Sequence, residues 1–278
     1  MPQVWIFRSG RDHLSTRLPS CYGSQVSATK PKARSRLTGL SVKTGLISHP
    51  FDLENGVRTS GLVAARDLGT GHRHQRHATA YYAIAPSVFH SLIARWRRTR
   101  GVAPLEEYTF IDLGAGMGRA MLMAAEMPFR AVLGVEFQSS LARIGRNNMA
   151  QWRATGRAQA PMRMYCCDAV EFPLPAGPCV VFLFNPFGEP VMKRLLARWS
   201  TALKGREGQL DLLYVNNEQD RLLRITPGWH RLFYGPIKRS KFDLAADRSI
   251  LYNQPGAEYA AHTFEDCAIY RWKGSTLK

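Results

Sequence analysis

Between residues 86 and 215 the chain switches repeatedly between two periods of hydrophobicity. Short apolar runs of strand length alternate with stretches whose apolar residues recur every three or four positions. The first amphipathic stretch opens at Pro86 and sets Val88, Phe89, Leu92, Ile93 and Trp96 on one side, a helix begun by proline where no N–H is needed. Residues 110–113, 131–137, 162–168, 178–184 and 209–215 read as strands, separated by helices over 120–127, 141–152 and 191–203. Residues 229–234 and 267–272 supply two further strands. Repeated strand and helix units of this kind specify an α/β fold, a mostly parallel sheet covered on both faces and joined by right-handed crossovers. The segment 238–261, mixed in charges and aromatics, breaks the pattern and reads as an insertion, either a surface loop or a substrate wall.

Polar residues at strand ends carry the chemistry. The run from Phe110 passes through Asp112 and then places glycine at alternate positions, Gly114, Gly116 and Gly118. Glycines there allow a tight turn and let backbone N–H groups approach a ligand. A dinucleotide loop would need glycine at 119, where the chain has Arg119, and no phosphate loop ending in Gly-Lys-Ser/Thr occurs. An acid followed by alternating glycines resembles the first motif of class I S-adenosylmethionine-dependent methyltransferases. The second strand ends in Glu136, whose carboxylate could accept both hydroxyl protons of a ribose, and the third in Asp168. In the family resembled, an acid at that third place meets the adenine amino group. Each carboxylate can also be read as a cap for the helix that follows it.

The fourth strand runs into Asn185, Pro186, Phe187 and Gly188. This is similar to the Asn-Pro-Pro-Tyr or Asn-Pro-Pro-Phe motif of amino methyltransferases, one proline shorter. Methyl transfer from a sulfonium is an in-line displacement, so the protein must hold a lone pair in line with the methyl group. The carbonyl oxygens of Asn185 and Pro186 could accept N–H bonds from an amine, and Phe187 could stack on a flat or cationic acceptor. The competing reading is a strand ended by proline with Phe187 in the core.

More broadly, residues 49–217, with Phe51-Asp52, the stretch from Gly56 to Gly61, Tyr81-Tyr82 and the motifs above, resemble an uncharacterised bacterial group of class I methyltransferases. Glu136, preceded by Gly-Val, and the pair Asn185 and Phe187 also resemble the non-SET histone lysine methyltransferases. The resemblance implies a Rossmann-like class I methyltransferase fold, a seven-stranded sheet with an antiparallel edge strand. It further implies S-adenosyl-L-methionine as cofactor, held by Asp112, Gly114, Gly116, Gly118, Glu136 and Asp168, with Tyr81 or Tyr82 as a lid over the methionine end. For the tyrosines, a place among ordinary core aromatics is the alternative.

Composition bounds the rest. At 278 residues and 45% hydrophobic content the chain can bury one full core, and no apolar run suits a membrane span. The five cysteines are odd in number and mostly in or beside strands, which suits reduced thiols in a cytoplasmic protein. The net charge is +17, but residues 1–105 hold sixteen Lys/Arg against four Asp/Glu, while the remainder is nearly balanced. Residues 1–48, with Asp12 as their one acid, read as a disordered basic extension: a nucleic-acid arm, a transit peptide or an over-extended start. Residues 49–104 then form an N-terminal cap and first helix, and 105–278 the methyltransferase domain. His72, His74 and His77 have a metal-like spacing, but the arginines between them favour a solvated loop and no metal is assigned. With no His or Cys in a general-base position, Asn185 and Phe187 are the catalytic candidates and a nitrogen acceptor, a protein lysine or other amine, is expected. RNA as acceptor, and a non-catalytic module that keeps the fold to bind RNA or protein, are the alternatives.

Overall fold

The computed structural model describes residues 48–64, 79–99, 103–254 and 260–274. Its strands are β1 (Thr109–Leu113), β2 (Ala131–Val135), β3 (Met162–Tyr165), β4 (Cys179–Phe184), β5 (Leu210–Val215), β6 (Trp229–Lys238) and β7 (Phe264–Trp272). Its helices are α1 (Pro50–Asn55), α2 (Pro86–Thr99), α3 (Arg119–Ala124), α4 (Ser139–Ala154), α5 (Glu189–Ala202), α6 (Asp220–Ile225) and α7 (Lys241–Tyr252). The strands form one sheet in the order β3-β2-β1-β4-β5-β7-β6. Strands β1 to β5 are parallel, and β7 enters antiparallel between β5 and β6. This is the Rossmann-like class I methyltransferase fold, with the reversed strand one place in from the edge.

The alternation of side chains along each strand divides the core between two faces. Phe110, Val180, Phe182 and Leu213 pack with α2, α3 and α4 on one side. Ile111, Val181, Leu183 and Leu212 pack with α5 on the other. The five apolar residues of α2 named from the sequence are all buried, each contributing roughly 1.5–3 kcal/mol. Trp96 among them donates its indole N–H to Asp211 at 2.7 Å, and Arg271 satisfies the same carboxylate at 2.7 and 2.8 Å. At the β3 edge, Arg153 and Arg146 of α4 donate to the outward carbonyls of Met162 and Met164, at 2.8 and 3.5 Å. Capped in this way, the edge offers less backbone to a second strand.

Two expectations change. The helix after the glycine loop is the shorter α3, and the segment 238–261 is not a surface loop but carries α7, capped by Ser240 accepting from the Asp243 N–H at 3.0 Å. Its polarity is inverted: Asp243 and Asp247 are buried while Phe242 and Tyr252 are exposed. Asp247 accepts from the Tyr82 hydroxyl at 2.7 Å and lies 3.2 Å from Arg239, which also pairs with Glu265. Asp243 accepts from the Ser87 N–H at 2.8 Å and lies 3.6 Å from His49. Burial, assisted by Arg119, pulls His49 down to about 4, so it is neutral at physiological pH. Helix α7 thus docks on the N-terminal segment through hydrogen bonds and charges, beside a small apolar contact of Ile250 and Leu251 with Leu62 and Tyr82. The extension before residue 48, the three histidines between 72 and 77, and Cys21 lie outside the described residues. Cys166 and Cys167 are half-buried free thiols, and Cys179 and Cys267 are buried ones. Among the described residues no helix is long and apolar enough to cross a membrane.

Candidate functional site

Strand order reverses between β1 and β4, and at such a switch point the carboxyl ends of the strands splay around a crevice. A cleft lies there, enclosing about 760 Å³ together with the solvent at its mouth. Its wall is built from the β1, β2, β3 and β4 ends, namely Gly114, Val135 to Phe137, Cys167 to Ala169, and Phe184, Pro186 and Phe187. Residues 79–82 roof it, and Leu141 and Val191 complete it.

The glycine loop joins β1 to α3. Gly114 and Gly116 have φ of 79° and 54°, in the left-handed region. A Cβ on Gly114 would stand 2.3 Å from Pro186 Cβ, and one on Gly116 would stand 2.1 Å from the Tyr81 ring. Two distant segments therefore require glycine at these positions, before any ligand is considered. Gly118 is the N-cap of α3. The loop's Gly114 and Ala115 N–H groups both donate to the Val135 carbonyl, at 2.9 and 3.0 Å, and fix the loop on β2.

Two carboxylates are buried at the floor. Glu136 accepts from the Gly116 N–H and from the Gln138 N–H, both at 2.8 Å. The backbone N–H of Phe137 also interacts favourably with this carboxylate. Burial pushes Glu136 up to about 7, against the pull of those backbone donors. Asp112, at the end of β1, is pushed up to about 8 by burial and by the neighbouring Glu136 charge. Among the described residues neither carboxylate has an ion-pair partner, and the cleft wall contains no Lys, Arg or His. Asp168 stands on the wall and accepts from the Val170 N–H at 2.9 Å, a local turn that occupies one of its oxygens.

The Asn-Pro-Phe segment is tightly held. Asn185 has φ 39°, a conformation costly for a residue other than glycine and concentrated at functional sites. Its carbonyl accepts from the Thr79 hydroxyl at 2.6 Å, and its side-chain oxygen from the Tyr214 hydroxyl at 3.3 Å. The Pro186 carbonyl accepts from the Thr79 N–H at 3.3 Å. Both carbonyls thus have one lone pair engaged by the protein itself. Phe187 belongs to the core beside α5 and also lines the cleft.

Of the residues named from the sequence, the cleft wall brings together Tyr81, Tyr82, Gly114, Glu136, Asp168, Pro186 and Phe187. Asp112, Gly116, Gly118 and Asn185 are not on that wall. Tyr81 packs its ring on Gly116 and donates its hydroxyl to the Thr59 carbonyl at 2.7 Å. Sequence reasoning missed Thr79, Phe137 and Phe184. The last two adjoin Glu136 and Asn185 and end the same strands, which was the available signal. It also missed what Arg119 does: the side chain is buried and reaches Thr59, Ser60 and Ile84.

No family model matches the sequence. No curated protein matches it either. Among solved structures the chain is similar to the cyclase SpnF, at 15% identity over 67% of this chain and 82% of that one, with a TM-score of 0.48. It is also similar to magnesium protoporphyrin IX methyltransferase from Synechocystis PCC 6803 with bound S-adenosylmethionine, at 12% identity over 67% and 78%, TM-score 0.42. A third is the tRNA m1G37 methyltransferase of M. jannaschii, at 10% identity over 69% and 52%, TM-score 0.43. Likeness at this level concerns the fold, and function has to be argued from the site.

Proposed function

We propose that the protein is an S-adenosylmethionine-dependent methyltransferase acting on an amine nitrogen. The observation that carries this reading is the pair Asp112 and Glu136, buried and, among the described residues, without a cation, beside a cleft whose described wall residues include no positive side chain. Two buried acids in that state favour a cationic ligand, which relieves both their desolvation and their mutual repulsion. S-adenosylmethionine is doubly suited, with an ammonium and a sulfonium, and when bound it supplies an activated methyl group.

The chain's own residues then divide the work. Asp112 and the loop from Gly114 to Gly118 hold the methionine end, and the Glu136 carboxylate accepts from the ribose hydroxyls. Asp168 meets the adenine edge. Tyr81 closes the roof over Gly116 and excludes water, which strengthens every electrostatic contact beneath it. Phe184, Pro186 and Phe187 form the acceptor wall, where a neutral amine would find the second lone pairs of the Asn185 and Pro186 carbonyls. Orientation and desolvation provide the acceleration, with no strong base required. The net charge of +17 supports RNA as a second acceptor class. The described wall residues favour the amine, because they offer a phosphate backbone acids and no cation.

Incubating the full chain with methyl-labelled cofactor and a cell extract tests this reading. Label recovered in protein or small amines, lost with Asn185→Ala, supports it. Label found in RNA moves the acceptor to the second class, and no label anywhere overturns the enzymatic reading.

A further inference from the structure

Arg119 opens α3 immediately after Gly118, and its side chain is 2% exposed. Its guanidinium spends its donors on the N-terminal segment: Nε donates to Thr59 Oγ1 at 2.6 Å, and the terminal nitrogens donate to Ser60 Oγ at 3.1 Å and the Ile84 carbonyl at 3.3 Å. Asp52 stands 3.6 Å away and balances the charge. A second stitch runs alongside, since Asn148 of α4 donates both to the Arg58 carbonyl at 2.7 Å and to the Met117 carbonyl of the glycine loop at 2.9 Å. The Thr59 carbonyl in turn accepts the Tyr81 hydroxyl, and the Tyr81 ring rests on Gly116. The contacts close a circuit from the glycine loop through Arg119 and Thr59 to Tyr81 and back to the loop.

We propose that Arg119 is a positioning residue for cofactor binding, a strut that fixes the height of the Tyr81 roof above the glycine loop. The inference rests on the reading that this cleft takes S-adenosylmethionine. Stability alone does not call for such a group. An apolar side chain of similar volume fills a buried site as well as an ion pair does or better. What directed hydrogen bonds add is a defined distance between two segments, and here those segments are the floor and the roof of one end of the cleft. Removing the strut leaves sheet and core intact and lets residues 79–82 move.

The experiment uses the full chain with Arg119→Met, Arg119→Lys and Thr59→Val. The last removes one acceptor of the strut and spares the carbonyl that Tyr81 uses, so it serves if Arg119→Met fails to fold. S-adenosylmethionine affinity is measured by calorimetry, and amide hydrogen exchange is followed in peptides covering 79–84, with 110–113 and 179–184 as controls. The expected result is at least tenfold weaker binding for Arg119→Met and about threefold for Thr59→Val, partial rescue by lysine, and faster exchange in 79–84 with the control strands unchanged. Saturating cofactor restores the slow exchange. Unchanged affinity, unchanged exchange in 79–84, or faster exchange throughout the fold would each overturn the proposal. Failure of the wild-type chain to bind the cofactor would instead count against the function proposed above, and the exchange data would still test the strut.

Discussion

Replacing Asp112 by Asn should stabilise the unliganded protein while destroying its cofactor site. In the folded chain burial and Glu136 push Asp112 from 3.8 up to about 8. Between those values the folded state keeps a proton that the unfolded state releases. Stability is therefore lost as pH rises from 4 towards 8, at roughly 1.4 kcal/mol per unit of pH. At pH 7 that amounts to at most about 4 kcal/mol, and about 2–4 kcal/mol is expected after local relaxation. Asn has nearly the same shape and does not ionise in either state, so the variant escapes the loss. In a chain of this size each kcal/mol moves Tm by roughly 2–4 °C, so Asp112→Asn should melt about 5–10 °C above wild type at pH 7.5 and about level with it near pH 4. Thermal melts at both pH values, with calorimetry for S-adenosylmethionine, make the measurement. Equal or lower stability at pH 7.5, or the same gain at both pH values, would refute the electrostatic argument.

Cofactor binding should release protons, because a cationic ligand draws Asp112 and Glu136 back towards ionisation. Affinity should fall as pH drops from 8 to 6, and titrations in buffers of different ionisation enthalpy should reveal the release; no proton release sinks the idea. Asn185→Ala should spare cofactor binding, abolish turnover and lower stability by about 1 kcal/mol through loss of the Tyr214 hydrogen bond. A fully active variant would remove Asn185 from the acceptor site. Gly116→Ala should destabilise by about 2 kcal/mol, from its positive φ and the clash with the Tyr81 ring. Combined with Tyr81→Leu, about half of that penalty should disappear, and an undiminished penalty in the double variant would show that the ring is not the obstacle.

The sheet was legible because its central strands are near-continuous apolar runs, the form a parallel strand buried on both faces takes. Asp112, Glu136 and Asp168 stood out as the polar residues ending such runs, and two of the three line the cleft. Helix α7 was illegible for a physical reason. Its buried side carries Asp243 and Asp247, whose partners His49, Tyr82, Ser87 and Arg239 come mostly from far along the chain, so no apolar period announces it. At 114 and 116 glycine is also demanded by Pro186 and Tyr81 from across the fold, a demand the local sequence does not show. Thr79, whose N–H and hydroxyl already engage the Asn-Pro carbonyls, follows a segment without periodicity, and only tertiary structure brings it to β4.

Titrating the 278-residue chain and its Glu136→Ala variant with S-adenosylmethionine is the most direct trial of the cleft. Saturable one-to-one binding to the wild-type chain, weakened at least a hundredfold in the variant, is the predicted result, about 3 kcal/mol at that ratio. Absence of binding to the wild-type chain, or equal affinity in both, would contradict it.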